Sequence, residues 1–126
     1  MKFIHTADIH LGAEPDAGSS YSTERPEELW NSFERLLDVC EEEQTDLLLV
    51  AGDLFHRQPL RKELKELDYL FSRLTHTQVV LMAGNHDYLK STSYYRNYPW
   101  QGPVHMFLSQ RPACMEFAEI GTCVYG

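Results

Sequence analysis

Three short polar segments of the 126-residue chain carry residue types that bind divalent metal ions. Asp8 and His10 form the first segment, Asp53 follows Gly52 in the second, and residues 84–87 read Gly-Asn-His-Asp. Carboxylate, imidazole and amide groups together suit Mn²⁺, with Fe²⁺, Mg²⁺ or Zn²⁺ as alternatives. Two such ions about 3.5–4 Å apart can supply the nucleophile and neutralise the developing charge when a phosphodiester is hydrolysed. The residue types therefore predict a site for two divalent metal ions.

Each polar segment directly follows a short apolar run that is typical of a β-strand. The runs cover residues 2–7, 47–51 and 79–83, and stretches with helical periodicity separate them near 26–44 and 61–76. This alternation predicts an α/β fold with a parallel sheet. Because the carboxyl ends of parallel strands lie at one edge of a sheet, the polar segments should meet there.

Both helical stretches place apolar side chains at spacings of three and four, which predicts one buried face per helix. These residues are Leu29, Phe33, Leu36, Leu37 and Cys40 in the first stretch, and Leu64, Leu67, Leu70, Phe71 and Leu74 in the second. Three further short strands are predicted at 104–108, 114–117 and 122–125. Residues 11–21, rich in Gly and Ser, predict a surface loop beside the first strand.

The order of residues within the segments suggests how they could share two ions. Asp8 and His10 are two residues apart, so in an extended chain both side chains point to one side and could chelate one ion. Asp53, at the end of a central strand, is the carboxylate that could bridge both ions. Asn85 offers an amide oxygen to the second ion, and its neighbour His86 points elsewhere and is available for acid chemistry.

The same segments resemble those of a known family. Residues 5–12 (HTADIHLG), 52–59 (GDLFHRQP) and 84–87 (GNHD) are similar to motifs of the calcineurin-like metallophosphoesterases, and within them of the SbcD-like DNA-repair nucleases. The resemblance implies the first half of an α/β/β/α sandwich. It also implies DNA as the substrate, 3′ to 5′ exonuclease action and an SbcC-like ATPase as the partner. The roles that it implies are Asp8, His10 and Asp53 at the first metal ion, Asp53 and Asn85 at the second, His86 at the leaving oxygen and His56 near the scissile phosphate.

Members of this family continue for more than another chain length and carry a Gly-His-x-His element that completes the metal site. Apart from His10, His56 and His86, the sequence has three histidines, and none follows a glycine. We therefore interpret residues 1–126 as the N-terminal portion of one nuclease domain. We expect an uncovered sheet edge and face, and hence a homodimer or a strand-exchanged association through 104–108, Val124 and Tyr125.

Two other functions fit the sequence. The chain could belong to a metallophosphoesterase that acts on nucleotides or phosphoproteins, or it could be a catalytically silent half-domain. Each motif alone could also be an ordinary turn, because Gly, Asn and Asp favour turns. Their occurrence after three successive strands favours the metal site.

Composition bears on DNA binding, on the redox state of the cysteines and on membrane association. The net charge of −8 gives no basic surface of the kind that non-specific DNA binders show. The three cysteines form no CxxC motif and predict reduced core thiols in the cytoplasm. No apolar run is long enough to cross a membrane, so no membrane association is expected.

Several further side chains have open interpretations. Asp87 could orient a metal ligand or be solvated. His5 is predicted to be a core histidine, and His76 a residue at a helix carboxyl end. An aromatic cluster could either cover a loop or stack on nucleobases. Its members are Tyr94, Tyr95, Tyr98 and Trp100.

Overall fold

The computed structural model describes residues 1–15 and 17–126, with helices and strands in the predicted order. Asp16, in the predicted loop 11–21, lies outside the described residues. The elements are β1 (Phe3–Thr6), α1 (Arg25–Glu42), β2 (Leu47–Ala51), α2 (Arg61–Phe71), β3 (Gln78–Met82), a 3₁₀ helix (Tyr94–Asn97), β4 (Val104–Met106), β5 (Cys114–Phe117), a 3₁₀ turn (Ala118–Ile120) and β6 (Thr122–Tyr125).

Strands β1 to β4 form one parallel sheet in chain order. The connections from β1 to β2 and from β2 to β3 are the two helices, which is the usual way to join adjacent parallel strands. β2 lies inside the sheet and pairs with both β1 and β3. Its sequence is almost entirely apolar because both faces of a parallel sheet are covered. The predicted α/β fold class is confirmed.

Both helices pack against the same face of the sheet. The buried residues there include Phe33, Leu37 and Cys40 of α1, Leu64, Leu67, Leu70 and Phe71 of α2, and Leu48, Val50, Val79 and Leu81 of the sheet. The ring of Phe71 lies 5.9 Å from that of Phe33 and 6.2 Å from that of Trp100. The predicted apolar faces of the helices are therefore their packing faces.

The other face of the sheet is covered by the antiparallel hairpin of β5 and β6. Phe107 and Phe117 pack there against Leu47 and Val80. Helices, parallel sheet and hairpin form three successive layers. This arrangement agrees with the first half of the predicted sandwich.

The main difference in element bounds is the end of α2, which stops at Phe71 rather than near residue 76. The amides of Arg73 and Leu74 donate to the carbonyls of Leu70 and Phe71, three residues earlier. Such tighter bonds close the last turn and end the helix. Within the described residues, neither α1 nor α2 has the length and apolar composition of a membrane-spanning segment.

The prediction of three core thiols is wrong for two of the cysteines. Cys114 and Cys123 form a disulfide between β5 and β6, with their Cα atoms 6.2 Å apart. Both lie on the solvent-facing side of the hairpin, because their neighbours on the alternate positions face the sheet. Cys40 is a buried free thiol as expected, and its burial raises its pKa to about 11.

The predictions for two histidines also need correction. His5 is exposed on the edge strand β1 instead of packed in the core, because its side of the sheet lies beyond the hairpin's cover. His76 follows α2 by five residues and does not cap it. Its Nε2 lies 2.9 Å from the Asp46 carboxylate, close to the start of β2.

Replacing Phe71 with alanine should lower the free energy of unfolding by about 3–5 kcal/mol, because a fully buried ring between two other rings would leave a cavity. Urea unfolding followed by circular dichroism measures the change. Tyr69, on the same helix and 68% exposed, is the matched control. Its substitution with alanine should change stability by less than about 0.5 kcal/mol. Equal losses for the two variants would contradict the packing described above.

Candidate metal centre

The segments that follow β1 and β2 run side by side at one edge of the sheet. The amide of Asp8 donates to the carbonyl of Gly52 at 3.1 Å, and the amide of His10 donates to the carbonyl of Asp53 at 2.9 Å. These bonds continue the parallel pairing beyond the strands. They bring the first two predicted polar segments together.

The backbone adopts the left-handed conformation at three of the four residues predicted to bind metal. The φ angles of Asp8, His10 and Asp53 are 54°, 55° and 49°. This left-handed region costs a residue with a Cβ atom about 1–2 kcal/mol, and such strain clusters at functional sites. Asp8 and His10 do converge as expected. They do not do so as alternate residues of an extended strand, because β1 ends at Thr6. The two left-handed residues produce the convergence.

Asp8, His10 and Asp53 form the first cluster of potential ligands. One ligand atom from each lies within 4.8 Å of the others, and Asp8 Oδ1 lies 3.9 Å from His10 Nε2. Asp53 is buried and Asp8 is exposed. Asp53 Oδ1 accepts a hydrogen bond from the amide of His86 at 2.8 Å. Among the described residues, no group donates to its other oxygen, which leaves Oδ2 able to bind a cation.

His10, His56 and His86 form a second cluster, which shares His10 with the first and also has ligand atoms within 4.8 Å. The Nδ1 atoms of His10 and His56 are 3.3 Å apart. At least one of these nitrogens must be unprotonated for them to face each other in a hydrogen bond. His86 Nδ1 lies 3.0 Å from the carbonyl oxygen of His56 and must donate to it. In a neutral ring this leaves His86 Nε2 as the acceptor.

Asn85 lies in the same turn as His86 and has an exposed side chain. No described hydrogen bond restrains its amide group. Its role as a ligand of a second ion therefore stays a prediction.

Asp87 is fully buried and connects the two loops that carry His56 and His86. Its Oδ1 accepts from the amide of Gly84 at 2.7 Å, and its Oδ2 accepts from the amide of Phe55 at 3.2 Å. Of its two interpretations, the solvated one is thus wrong. The carboxylate holds the backbone on both sides of the histidine pair.

Gly84 passes so close to Asp53 that a side chain has no room. A Cβ atom at this position would overlap the Asp53 side chain and amide nitrogen, and one at Gly52 would lie 3.1 Å from the Gly84 Cα. Gly52 also has a φ of 93°. Glycine is therefore required at both positions where the second and third polar segments meet.

The donor set fits a divalent metal ion. Metal–ligand distances of about 2.0–2.2 Å place neighbouring ligands of one ion roughly 3–3.5 Å apart, so separations within 4.8 Å need side-chain movements on the order of 1–2 Å. The combination of imidazole nitrogens and carboxylate oxygens suits Mn²⁺, Fe²⁺ or Zn²⁺. Asp8, His10, Asp53, His56 and His86 are the residues that could hold such an ion.

The aromatic cluster divides into two kinds of residue. Tyr95 is buried, and the half-buried Tyr98 and Trp100 pack against the helical core, as expected of a loop cover. Tyr94 is 49% exposed and remains available for stacking. The hydroxyl of Tyr95 donates to Asp87 Oδ2 at 3.0 Å, a contact that no sequence pattern indicated. Its segment has no periodicity that could have indicated the contact.

An α/β fold with a carboxylate–imidazole cluster at the carboxyl ends of parallel strands is typical of metal-dependent hydrolases. The profile of the family described as Calcineurin-like phosphoesterase matches residues 1–125. The chain belongs to this family.

Curated relatives include a DNA double-strand break repair protein and a component of a nuclease. The chain is 36% identical over 90 residues to the DNA double-strand break repair protein Mre11 of Aeropyrum pernix, a match that covers 68% of this chain and 21% of the relative. It is 32% identical over 90 residues to the D component of nuclease SbcCD of Escherichia coli, covering 69% of this chain and 21% of the relative. The uncharacterized metallophosphoesterase YhaO of Bacillus subtilis is 32% identical over 139 residues, covering 100% of this chain and 33% of the relative. The chain thus spans a fifth to a third of these relatives.

Among solved structures, the nuclease MPE of Pseudomonas putida has a similar fold. The TM-score is 0.52 at 24% identity, and the match covers 82% of this chain and 47% of that chain. This likeness supports the fold alone.

Replacing Gly84 with alanine should weaken Mn²⁺ binding at least about tenfold, because the added methyl group would displace Asp53. The overpacking should also lower the free energy of unfolding by about 1–3 kcal/mol. Calorimetric titration with Mn²⁺ and urea unfolding measure the two effects.

Gly18 provides the control, since its φ is 93° but a Cβ there meets open space. Alanine at Gly18 should cost about 1–2 kcal/mol through backbone strain and leave Mn²⁺ affinity unchanged. Wild-type affinity in the Gly84→Ala protein would show that Asp53 does not depend on this close approach.

Proposed function

We propose that this chain is the N-terminal portion of the catalytic domain of a metal-dependent DNA nuclease of the SbcD type. The observation that carries the proposal is the cluster of Asp8, His10 and Asp53 at the strand ends, beside the stacked rings of His56 and His86. The relatives named as a repair protein and a nuclease support DNA as the substrate. When bound, two divalent ions, preferentially Mn²⁺, supply positive charge at the phosphate and activate water for attack.

In this proposal the two aspartates, His10 and Asn85 bind the metal ions. Asp8, His10 and Asp53 serve the first ion, and Asp53 with Asn85 serves the second. Asp53 suits a bridging role because it is buried, fixed through one oxygen by the His86 amide and free at the other. A carboxylate fixed in this way would present its second oxygen to a cation without reorganisation.

The two exposed histidines act on the substrate. Protonated at both ring nitrogens, His86 would donate from Nε2 to the leaving oxygen or stabilise its charge, and His56 would contact the scissile phosphate. Their rings stack with centroids 4.9 Å apart, so both can reach the same group. The bond from His86 Nδ1 to the His56 carbonyl fixes the ring orientation that proton transfer needs.

Basic side chains along α2 support an extended polyanionic substrate. Arg61, Lys62 and Lys65, together with Asp68, line a groove of about 650 Å³ along α2. The first turn of α2 is tied to the His56 loop, because Glu63 accepts from Arg57 Nη2 at 2.9 Å. The groove supplies local positive charge that the net charge of −8 conceals.

We also propose an SbcC-like ATPase as the partner. The support is the name of the SbcCD relative, which denotes one component of a nuclease that has more than one kind of chain. ATP-dependent action on DNA ends would follow from that association.

The protein with Mn²⁺ should hydrolyse bis-p-nitrophenyl phosphate and linear duplex DNA. His86→Ala should lower both rates about 10²–10⁴-fold, because a positioned acid contributes that much. Asp53→Asn should lower both rates at least as strongly. Release of nitrophenolate and of labelled nucleotides measures the rates.

His76→Ala is the control, since His76 is exposed and lies near the opposite edge of the sheet. It should retain both activities. Lys65→Glu should slow digestion of DNA while leaving the small substrate unaffected. Hydrolysis of nucleotides or phosphopeptides without DNA cleavage would support a different metallophosphoesterase. A folded protein with no hydrolysis of any of these would support the silent half-domain.

We propose that a second copy of the chain covers the sheet face beyond the hairpin. A groove there is lined by His5, Val80, Met82, Val124 and Tyr125 among others. Phe3 and Tyr125 are 55% and 77% exposed. Apolar surface of this kind next to the edge strand β1 favours association.

Sedimentation should therefore show a dimer at concentrations in the tens of micromolar, and Tyr125→Glu should shift it to monomer. Tyr21, 66% exposed and in the loop before α1, provides the control. Glutamate at Tyr21 should leave the dimer intact. A monomeric wild-type protein would contradict the proposal.

A further inference from the structure

The hydroxyl group of Tyr95 belongs to a buried polar network between the two histidine loops. Tyr95 is 3% exposed and Asp87 is 0% exposed. The hydroxyl donates to Asp87 Oδ2 at 3.0 Å. The same oxygen accepts from the amide of Phe55, and Oδ1 accepts from the amide of Gly84. One carboxylate thus receives three hydrogen bonds from three separate segments.

The two amide donors lie close in sequence to His56 and His86, the histidines proposed to act on the substrate. Phe55 precedes His56, and Gly84 lies two residues before His86. The Asp87 carboxylate therefore links the backbone next to His56 with the backbone that leads to His86. The hydroxyl of Tyr95 is the one side-chain donor that fixes this carboxylate among the described residues.

We propose that Tyr95 is a positioning residue, which holds Asp87 in place and thereby sets the arrangement of His56 and His86 toward the metal ions. The inference rests on the proposed function for the metal ions. The effect of the Tyr95 hydroxyl on the loop backbone does not depend on metal ions. It assigns to one member of the aromatic segment a role distinct from covering the core.

The chemistry of the pair suits this role. A hydrogen bond to a carboxylate is about twice as strong as one between neutral groups, and more so when water is excluded. Burial and the negative charge of Asp87 raise the pKa of Tyr95 well above its usual range. The hydroxyl therefore keeps its proton and remains a donor.

The ring and the hydroxyl of Tyr95 have separable functions. The ring packs 6.3 Å from that of Phe55 and belongs to the helical core. Phenylalanine would fill the same volume, so Tyr95→Phe removes only the hydrogen bond.

The chain offers two matched controls for this substitution. Tyr98, in the same segment, also donates to a buried aspartate, since its hydroxyl lies 3.4 Å from Asp68 Oδ2. That aspartate holds the amides of Gln101 and Gly102, beside α2 rather than the metal centre. Tyr94 is exposed, and no described residue bonds to its hydroxyl. Replacing Tyr98 or Tyr94 with phenylalanine also removes one hydroxyl group, but away from Asp87.

The test compares the wild-type protein with the Tyr95→Phe, Tyr98→Phe and Tyr94→Phe variants. Calorimetry measures Mn²⁺ affinity, and NMR measures hydrogen exchange of the Phe55, Gly84 and His86 amides without metal. Tyr95→Phe should lower Mn²⁺ affinity about tenfold and speed exchange of these amides about tenfold. Its melting temperature should fall by only a few degrees, as for Tyr98→Phe. The two control variants should keep wild-type affinity and exchange at these amides.

Two results would overturn the proposal. In the first, Tyr95→Phe leaves both affinity and amide exchange unchanged. In the second, Tyr98→Phe lowers affinity and speeds exchange equally, which would indicate a general loss of stability. If the wild-type protein binds no Mn²⁺, the proposed function fails instead. The amide exchange in metal-free protein then decides the role of Tyr95 by itself.

Discussion

The parallel pairing of β1, β2 and β3 is the constraint on which the rest of the structure depends. Parallel strands joined by crossover helices end at the same edge of the sheet, whatever follows them. Here the ladder extends past the strands, where the Asp8 and His10 amides bind carbonyls of the β2 loop. Residues distant in sequence are thus held within a few ångströms of one another. The sheet supplies this geometry, and the helices bury its apolar face.

Buried aspartates fix the loops that the sheet delivers. Asp53 accepts from the His86 amide, Asp87 from Gly84 and Phe55, and Asp68 from Gln101 and Gly102. A buried carboxylate is costly unless it is hydrogen-bonded, so each of these loops is strongly held to its partner. This network offsets the strain of left-handed residues at the site. The same device therefore stabilises the fold and orders the candidate metal centre.

Local patterns were sufficient to predict most of the fold. The apolar runs and the spacings of three and four identified the order of strands and helices, including β2 within its observed bounds. The end of α2 was misplaced because Leu74 continues the apolar spacing, although the last turns are closed by tighter bonds. Two cysteines were misassigned because strand alternation cannot say which side of a hairpin faces the sheet. Which side of the hairpin faces the sheet depends on how the layers pack.

The sequence by itself determined which residue types follow the strands, and therefore which groups are able to bind metal or carry protons. It also determined that Asp8, Asp53 and His86 follow successive strands and so share one edge. Only the tertiary structure decided how they meet, through left-handed backbone at Asp8 and a close approach at Gly84. It alone brought Tyr95 to Asp87. Contacts between loops depend on the summed packing of the whole chain, and no local periodicity encodes them.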